Sequence, residues 1–463
     1  MRQVYLDTFG CQMNVADTDR MELLLFHSGY IRTGEMQDAD LVLINTCSIR
    51  EKAEQKIYSL TGVLQPIKEA NPDQIIGLTG CLAQQEGERL LKKMPFLDLV
   101  LGPDGVEDIA RVVDEVREKK GPVVKVQFDA DEGYKIPQVS SRIPLKIGPS
   151  AFVNIIKGCD KFCTFCVVPF TRGREKSREA DEIQQEVQFL VSKGAREVIL
   201  LGQNVNAYGK RGLKKPVPFH ELLYKIASVP GLERLRFTTS HPMDFTKECI
   251  LAYQEIDILA NHLHLPVQSG NNRILKEMRR MHTVEEYISI VEELKTMVPD
   301  LEISTDIIVG YPGESDSEFE DTLNLMEKVK FSSSYMFVYS SRPGTPAQNF
   351  PDSVPQSVKS ERLQRTIALQ NRLTHEEGKK FVGTEVEVLI ESESFKPDID
   401  FRGRNAQYWS VNFTGDKRLI APGDMVKVVV EEATGHVLKG RGVVQEQNDK
   451  PMIMESENSL STI

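Results

Sequence analysis

Three times in its first hundred residues this chain runs from a short apolar stretch straight into a cysteine. The stretches are Val4-Tyr5-Leu6, Leu41-Val42-Leu43-Ile44 and Ile75-Ile76-Gly77-Leu78, and the cysteines close Phe9-Gly10-Cys11, Asn45-Thr46-Cys47 and Thr79-Gly80-Cys81. A fourth apolar run, Leu97-Asp98-Leu99-Val100-Leu101, follows, and helical patterns separate the four. Strand and helix in alternation predict a doubly wound parallel sheet over about residues 1–118. The carboxyl ends of parallel strands share one edge, where ligands bind. Three thiols 36 and 34 residues apart in sequence then converge in space. The competing reading is three unrelated buried cysteines, each a small hydrophobe. The same place on three successive units is hard to reach by accident.

A second set of cysteines is local. In Gly158-Cys159-Asp160-Lys161-Phe162-Cys163-Thr164-Phe165-Cys166 the spacing is C-x3-C-x2-C. A structural zinc site is closed by four ligands, and no His or fourth Cys lies within ten residues on either side of the triad. A disulfide suits a small secreted domain, whereas this chain has 463 residues and opens without the apolar stretch of a signal peptide. Three thiolates on an iron–sulfur cube leave one iron without a protein ligand and open to a small molecule. The same holds for Cys11, Cys47 and Cys81. Such open irons imply chemistry.

Composition sets outer bounds. Hydrophobic content of 40% and charged content of 27% are ordinary for a globular protein. No apolar run approaches the ~20 residues needed to span a bilayer, so an intracellular, cytoplasmic protein with no membrane contact is expected. The net charge of −11 argues against indiscriminate coating of nucleic acid. Local basic patches must serve any nucleic-acid partner. One runs from Arg142 to Glu179, with eight Lys or Arg against three acids (Arg142, Lys146, Lys157, Lys161, Arg172, Arg174, Lys176 and Arg178 against Asp160, Glu175 and Glu179), and it brackets the triad.

Beyond the first block, the prolines of residues 119–149 read as a connection. Residues 150–376 supply six strand candidates (Phe152–Ile156, Val198–Gly202, Leu235–Thr239, Leu263–Val267, Ile303–Val309 and Tyr335–Tyr339) separated by helical patterns such as Asp181–Ser192 and Thr283–Met297. That pattern predicts a partial (β/α)6 barrel whose chemistry sits beyond the strand carboxyl ends. Residues 378–443 carry strand signals at Glu385–Ile390, Ala406–Phe413 and Met425–Val430, and predict a small β-barrel of four or five strands. The polar tail, 444–463, is expected to be disordered. Cys249 sits alone in a helical pattern and reads as a buried hydrophobe, and His241, His262 and His264, at strand ends near the mouth, as satisfied core histidines.

The triad with Phe165 before its last cysteine resembles the signature of the radical S-adenosylmethionine (SAM) superfamily. All three blocks together resemble the methylthiotransferase family: a cluster-binding amino-terminal domain, a radical SAM barrel and a TRAM domain. Within that family, Thr8-Phe9-Gly10-Cys11-Gln12-Met13-Asn14, Asn45-Thr46-Cys47-Ser48-Ile49-Arg50-Glu51-Lys52-Ala53 and Arg172-Gly173-Arg174-Glu175-Lys176-Ser177-Arg178 are similar to the MiaB type. The branches acting on a ribosomal protein or on threonylcarbamoyl-adenosine typically show Gly-Cys-Pro-Lys-Asn or Gly-Cys-Lys-Val-Asn at the first cysteine. Two departures stand out: Asn271 after Gln268-Ser269-Gly270, where the family has Ser, and Arg280-Met281-His282-Thr283, where it has Arg-x-Tyr-Thr.

The resemblance implies two [4Fe–4S] clusters, on Cys159, Cys163, Cys166 and on Cys11, Cys47, Cys81, and two SAM molecules per product. It implies methylthiolation at C2 of N6-isopentenyladenosine 37 in tRNA, with the anticodon stem-loop as partner. A flavodoxin or ferredoxin supplies electrons, and the chain acts as a monomer. The backbone at Phe165, Gly202 with Gln203, and Gly310 to Glu314 are the expected SAM contacts, although each also fits an ordinary barrel turn. Arg172, Arg174, Lys176 and Arg178 are expected to clamp phosphates, against the alternative of a solvated charge run. The TRAM-like block has eight Lys or Arg against ten Asp or Glu after Phe381, so any RNA contact there must come from a face such as Arg402 with Arg404, and Lys439 with Arg441.

Overall fold

The computed structural model describes residues 1–48, 51–119, 121–128, 147–396 and 398–443. The first unit is one parallel sheet of six strands: β1 (Arg2–Phe9), β2 (Tyr30–Arg32), β3 (Leu41–Thr46), β4 (Ile75–Gly80), β5 (Leu99–Leu101) and β6 (Val123–Lys125), in the spatial order β2-β1-β3-β4-β5-β6. Helices α1 (Gln12–His27), α2 (Glu51–Ala70), α3 (Cys81–Glu86), α4 (Arg89–Lys93) and α5 (Ile109–Lys119) connect them. Two hydrophobic clusters lie on the two faces, one with Leu41, Leu43, Leu99 and Val112, the other with Val42, Ile44, Ile76 and Val100. Alternate residues of β3 and β5 thus feed opposite faces, as a sheet covered on both sides requires.

The sheet extends past residue 118. Val123–Lys125 pairs with β5 at Leu99↔Val123, inside the stretch expected to be a connection. Three residues after a single proline carry too little periodicity to announce a strand, and tertiary pairing alone fixes this one. Most of the rest of 119–149, with Arg142 and Lys146, lies outside the described residues, as do Ile49, Arg50 and the tail 444–463.

The second unit has the six expected parallel strands: β7 (Ser150–Asn154), β10 (Glu197–Leu201), β11 (Arg234–Thr238), β12 (His262–His264), β13 (Glu302–Val309) and β14 (Ser333–Val338); the short strands β8 (Ile156–Lys157) and β9 (Lys176–Ser177) pair beside them. Orders β7-β10-β11 and β12-β13-β14 form two ladders joined by a bridge between Leu235 and Leu259. The helices are α6 (Val168–Thr171), α7 (Ala180–Ser192), α8 (Phe219–Ala227), α9 (Lys247–Glu255), α10 (Asn272–Glu277), α11 (Val284–Met297), α12 (Asp316–Val329) and α13 (Gln356–Lys379). Thr283 and Ser315 open α11 and α12 with reciprocal capping boxes to Glu286 and Glu318. Cys249 is buried on α9 in the barrel core, as a small hydrophobe.

A closed antiparallel-rich barrel ends the described chain: β15 (Glu385–Glu393), β16 (Phe401–Asn405), β17 (Ser410–Thr414), β18 (Met425–Thr434) and β19 (Val437–Val443), in the order β15-β16-β17-β19-β18. The expected strand Ala406–Phe413 is corrected here. The chain turns at 406–409, where Tyr408 takes φ 71°, and Asn405 Oδ1 accepts from Trp409 N at 2.8 Å to hold the turn. The turn seats against the amino-terminal ends of the central strands: Arg236 donates to the carbonyls of Ala406 (2.7 Å) and Asn405 (2.6 Å), and Arg234 to that of Arg404 (2.9 Å). His262 is corrected with it. It opens β12 and stacks on Tyr408, so it sits at the end of the barrel opposite the mouth.

Candidate cluster and ligand sites

The first three cysteines meet at one sheet edge. The ladders align Phe9 with Thr46 and Thr46 with Gly80, so Cys11, Cys47 and Cys81 follow three adjacent strand ends. β1 and β3 are also where the strand order reverses, the usual ligand crevice of such a sheet. A buried polar knot fixes the edge. Asn14 Nδ2 donates to Asn45 Oδ1 at 2.9 Å, Asn45 Nδ2 returns to Asn14 O at 2.9 Å and to Thr18 Oγ1 at 3.0 Å, and Asn14 Oδ1 accepts from Cys11 N at 3.3 Å. Gly80, at φ +91°, completes it: a Cβ there would lie 2.3 Å from Asn45 Oδ1 and 2.5 Å from Thr46 O.

Cys47 and Cys81 are buried and Cys11 is half-buried. A hydrogen bond with Cys47, helped by the Arg172 charge, draws the Cys11 thiol down to about 5, while burial pushes Cys81 up. Cys11 also caps the amino terminus of α1, where the helix dipole favours a thiolate.

The triad Cys159, Cys163, Cys166 lies on the loop after β8. Gly158 has φ +75°, and a Cβ there would sit 2.2 Å from Arg174 O, so the loop closes this tightly only on glycine. Charged pairs pin the loop: Lys161 Nζ to Asp244 Oδ2 at 2.7 Å, Arg174 to both oxygens of Asp160 at 2.6 and 2.9 Å, and Asp160 N to Glu175 Oε1 at 3.2 Å. Burial pushes Cys159 and Cys166 up to about 12. Among the described residues no group of three His, Cys, Asp or Glu is spaced to hold a single metal ion. Each thiol of a cluster binds its own iron, so three corners of a cube stand farther apart than three ligands of one ion. Two sets of three soft sulfur donors, each buried or half-buried and free of disulfides, fit [4Fe–4S] clusters with one open iron apiece.

The barrel mouth holds what the triad needs beside it. Gln203 Oε1 accepts from Gly158 N at 2.6 Å, so the residue beyond β10 touches the cluster loop. Its Nε2 is buried without a partner, and so are Asn204 Oδ1, Ser240 Oγ, His241 Nε2, Gln268 Oε1, Arg280 Nε and His282 Nε2. Buried polar atoms are ordinarily satisfied. This many orphans beyond the ends of β10, β11 and β12 mark the seat of a polar ligand, and they fit SAM. Gly202 has room for no side chain, since a Cβ would lie 2.3 Å from Ile156 Cγ2. Phe165 is half-buried against Tyr311, Tyr339 and Ile274. Glu314 Oε2 accepts from Gly310 N at 2.7 Å and pairs with Arg362 at 2.8 Å, while its Oε1 is buried without a partner.

Arg280, His282, Lys161 and Asp244 were not assigned as site residues from the sequence. Arg280 Nη1 lies 3.6 Å from Cys163 Sγ and its Nη2 donates to Pro266 O at 2.5 Å. The rings of His241 and His282 meet edge to face at 5.7 Å. The departure at Asn271 has a plain reason: its Oδ1 caps α10 by accepting from Arg273 N (2.9 Å) and Ile274 N (3.2 Å), a task Ser also performs.

The expected phosphate clamp is corrected in part. Arg172 and Arg178 are 6% and 2% exposed and turn inward, Arg172 to Asp17 (2.9 Å) and Cys81, Arg178 to Asn154 O (2.6 Å) and Glu186 (2.7 Å). Arg174 is exposed on its Asp160 pair and over the Phe162 ring, and Lys176 is half-buried. In the last barrel Arg402 is exposed, whereas Arg404 packs on Tyr408, 4.6 Å from the ring centre.

The two cysteine sets belong to one assembly. On β10, Val198 and Leu200 point to the helices while Ile199 and Leu201 point to the barrel's inner side, where they pack with Phe152 against Met13, Ala16 and Cys11 of the first unit. The helix carrying Cys11 thus lies on the inner face of the open barrel.

Comparison with known proteins follows this division. The Radical SAM superfamily matches residues 153–326, the uncharacterized protein family UPF0004 residues 3–102, and the TRAM domain residues 379–443. Over 443 residues the chain is 41% identical to the tRNA-2-methylthio-N(6)-dimethylallyladenosine synthase of Clostridium botulinum (strain Okra / Type B1), covering 95% of this chain and 97% of that one. The chain belongs to the methylthiotransferase family. The Coxiella burnetii (strain RSA 331 / Henzerling II) member of the same name is 45% identical over 448 residues, 95% of this chain and 99% of that one. Among solved structures, the radical SAM methyltransferase TsrM from Kitasatospora setae superposes with a TM-score of 0.55 at 13% identity, over 75% of this chain and 77% of that one. The cobalamin-dependent radical enzyme OxsB superposes at 0.52 and 13% identity, over 80% and 56%. These two bear on fold alone.

Proposed function

We propose that this protein is a tRNA methylthiotransferase that converts N6-isopentenyladenosine at position 37, beside the anticodon, to its 2-methylthio derivative by radical SAM chemistry. The observation that carries the reading is the seating of one three-cysteine edge on the inner face of the barrel that bears the other. Replacing an unactivated C–H by C–S is beyond side-chain acids and bases, so the hard chemistry is the cofactors'. When bound, the cluster on Cys159, Cys163 and Cys166 with SAM supplies the radical step, and a second cluster on Cys11, Cys47 and Cys81 supplies sulfur.

The chain's own residues position and exclude. Lys161 and Asp244 hold the triad loop against the barrel, and Gln203 spends one amide atom on Gly158 while turning the other to the ligand seat. Burial holds His241 far below, and His282 down to about 4, so both are neutral at pH 7 and orient a polar ligand rather than deliver a proton. The SAM contacts are Gln203 and the backbone at Phe165, Gly202 and Gly310. Glu314 shapes the loop through Oε2 and keeps Oε1 for the ligand.

The tRNA is met by Arg174, Lys176 and Arg402 on phosphates. Phe162, 40% exposed beside the triad under Arg174, suits stacking on a base turned out of the single-stranded loop. The reductant is a flavodoxin or ferredoxin. Both cysteine sets lie in one chain, which supports a monomer, and the substrate supports the cytoplasm; no helix among the described residues is long and apolar enough to cross a membrane. The units are taken as 1–118, 150–376 and 378–443, with β6 added to the first.

The test is anaerobic reconstitution, then mass spectrometry of nucleosides from tRNA with and without the isopentenyl group. Methylthiolated product from the isopentenylated tRNA alone is expected, and Cys11→Ala should abolish it while 5′-deoxyadenosine still forms. Product on threonylcarbamoyl-adenosine or on a ribosomal protein instead would overturn the substrate; product from the Cys11→Ala chain would overturn the second cluster.

A further inference from the structure

One charged side chain crosses from one cysteine site to the other. Arg172 comes six residues after Cys166, at the end of α6, yet its guanidinium leaves the barrel. Its Nε donates to Cys81 Sγ at 3.2 Å and its Nη2 to Asp17 Oδ2 at 2.9 Å, and the residue is 6% exposed. The neighbouring cations close on carboxylates instead: Arg20 on Glu107 at 2.6 Å and Lys157 on Asp104 at 2.9 Å. Arg172 therefore shares one buried charge between a cysteine of the sheet edge and an aspartate of α1.

We propose that Arg172 is a positioning residue that sets the reduction potential of the cluster held by Cys11, Cys47 and Cys81, with Asp17 as its counterweight. The inference rests on the reading that these cysteines hold a cluster. Reduction adds negative charge to a thiolate-bound cluster, and a fixed cation donating to a ligand sulfur stabilises the reduced form more than the oxidised one. The potential rises. Asp17, on the same guanidinium, cancels part of that charge and lowers it again. With both side chains buried, neither contribution is screened as it would be at the surface. The two substitutions therefore act with opposite sign, which simple loosening of the domain interface does not produce. The cation also comes from the barrel, so this potential is set only when the two units are docked.

The experiment uses the full chain with Cys159, Cys163 and Cys166 changed to Ala, which leaves one cluster site. After anaerobic reconstitution, iron is counted and the cluster is titrated with dithionite and mediator dyes, followed by visible and electron paramagnetic resonance spectra. Arg172→Gln is expected to shift the midpoint to more negative potential, Asp17→Asn to more positive, and Arg172→Lys to fall between the parent and Arg172→Gln. Midpoints that stay put, or move the same way in both variants, overturn the proposal. Should Arg172→Gln hold no iron, the sign of the Asp17→Asn shift decides. A parent chain that binds no iron overturns the cluster reading itself, a result distinguishable from unshifted midpoints.

Discussion

Asp244 ties down the triad loop from the segment after β11, and nothing in the sequence advertised it. Its carboxylate is 1% exposed, yet it meets Lys161 at 2.7 Å, Lys210 at 2.5 Å and Asn204 Nδ2 at 2.7 Å. Burial pushes its carboxyl up, but the two lysines and the asparagine more than reverse this and hold it below the usual range. Removing one partner of a buried pair costs about 3–5 kcal/mol, because the other charge stays behind unpaired. Lys161 stands between Cys159 and Cys163, so the loss falls on the cluster loop. Asp244→Ala is expected to lower iron retention at the triad, counted in a chain whose other three cysteines are Ala, and to slow SAM cleavage. Asp244→Asn should keep part of both. Full iron in Asp244→Ala would show that the cysteines alone hold the loop. The gathering of the cysteines into two sets of three was legible because C-x3-C-x2-C and a repeated strand-then-cysteine pattern are periodic signals. Asp244 carries no local pattern, and Arg280 and His282 sit in a segment noted only as a departure from the family; the folded barrel alone brings them to Cys159–Cys166. Arg172 and Arg178 show the converse: a basic run reads the same whether its side chains face solvent or a buried acid.

At the scale of elements, strand order and helix periodicity were legible, and the turn between β16 and β17 was not. Hairpins usually declare themselves by Gly-rich turns, and Asn405-Ala406-Gln407-Tyr408 has none. Here Asn405 holds the turn through its side chain, and Tyr408 bears the left-handed backbone because its ring is clasped among Arg236, Arg404 and His262 at 5.0, 4.6 and 5.0 Å. The strain is offset by packing that the sequence did not reveal. Arg236 in turn pairs with the buried Glu197 at 2.6 Å. This element fixes the last barrel to the amino-terminal ends of the central strands, and so fixes where Arg402 stands. Tyr408→Ala is expected to free the last barrel while leaving both cysteine sites intact. Limited proteolysis should then cut near residues 380–384, and calorimetry should resolve a second transition. Binding of tRNA should weaken more than tenfold, since each end of the substrate would be held by an independent unit. A single unfolding transition with unchanged cleavage would mean that α13 suffices to hold the barrel.

For the whole molecule, the sequence foretold the three units and, through the chemistry it implied, a sheet edge facing the barrel mouth, but not which residues make the contact. On the proposed reading a sulfur bound at one cysteine set must come within a few ångström of a carbon held at the other, and orientation of that kind accounts for much of a rate. The contact that delivers this is small and apolar. Met13 and Ala16 of α1 lie against Ile199 and Leu201 of β10, residues that alternate with Val198 and Leu200 and read, in one dimension, as a continuous buried strand. A strand hydrophobic on both faces is what a barrel interior would show without any partner, so the sequence alone gave no reason to place α1 there. Two ion pairs, Lys157 with Asp104 and Arg172 with Asp17, border the patch and set its register. Ala16→Glu puts an unpaired carboxylate into that patch, a burial costing several kcal/mol in effect, and the units should part rather than bear it. Iron at both sites and SAM cleavage should persist, because each ligand set is complete within its own unit, whereas methylthiolated product should fall at least a hundredfold. Nucleoside mass spectrometry and 5′-deoxyadenosine yield, measured on one reconstituted sample, separate the two. Cleavage and product falling together would place the damage at the triad, and product surviving would mean that the two sites work without the contact seen between α1 and β10.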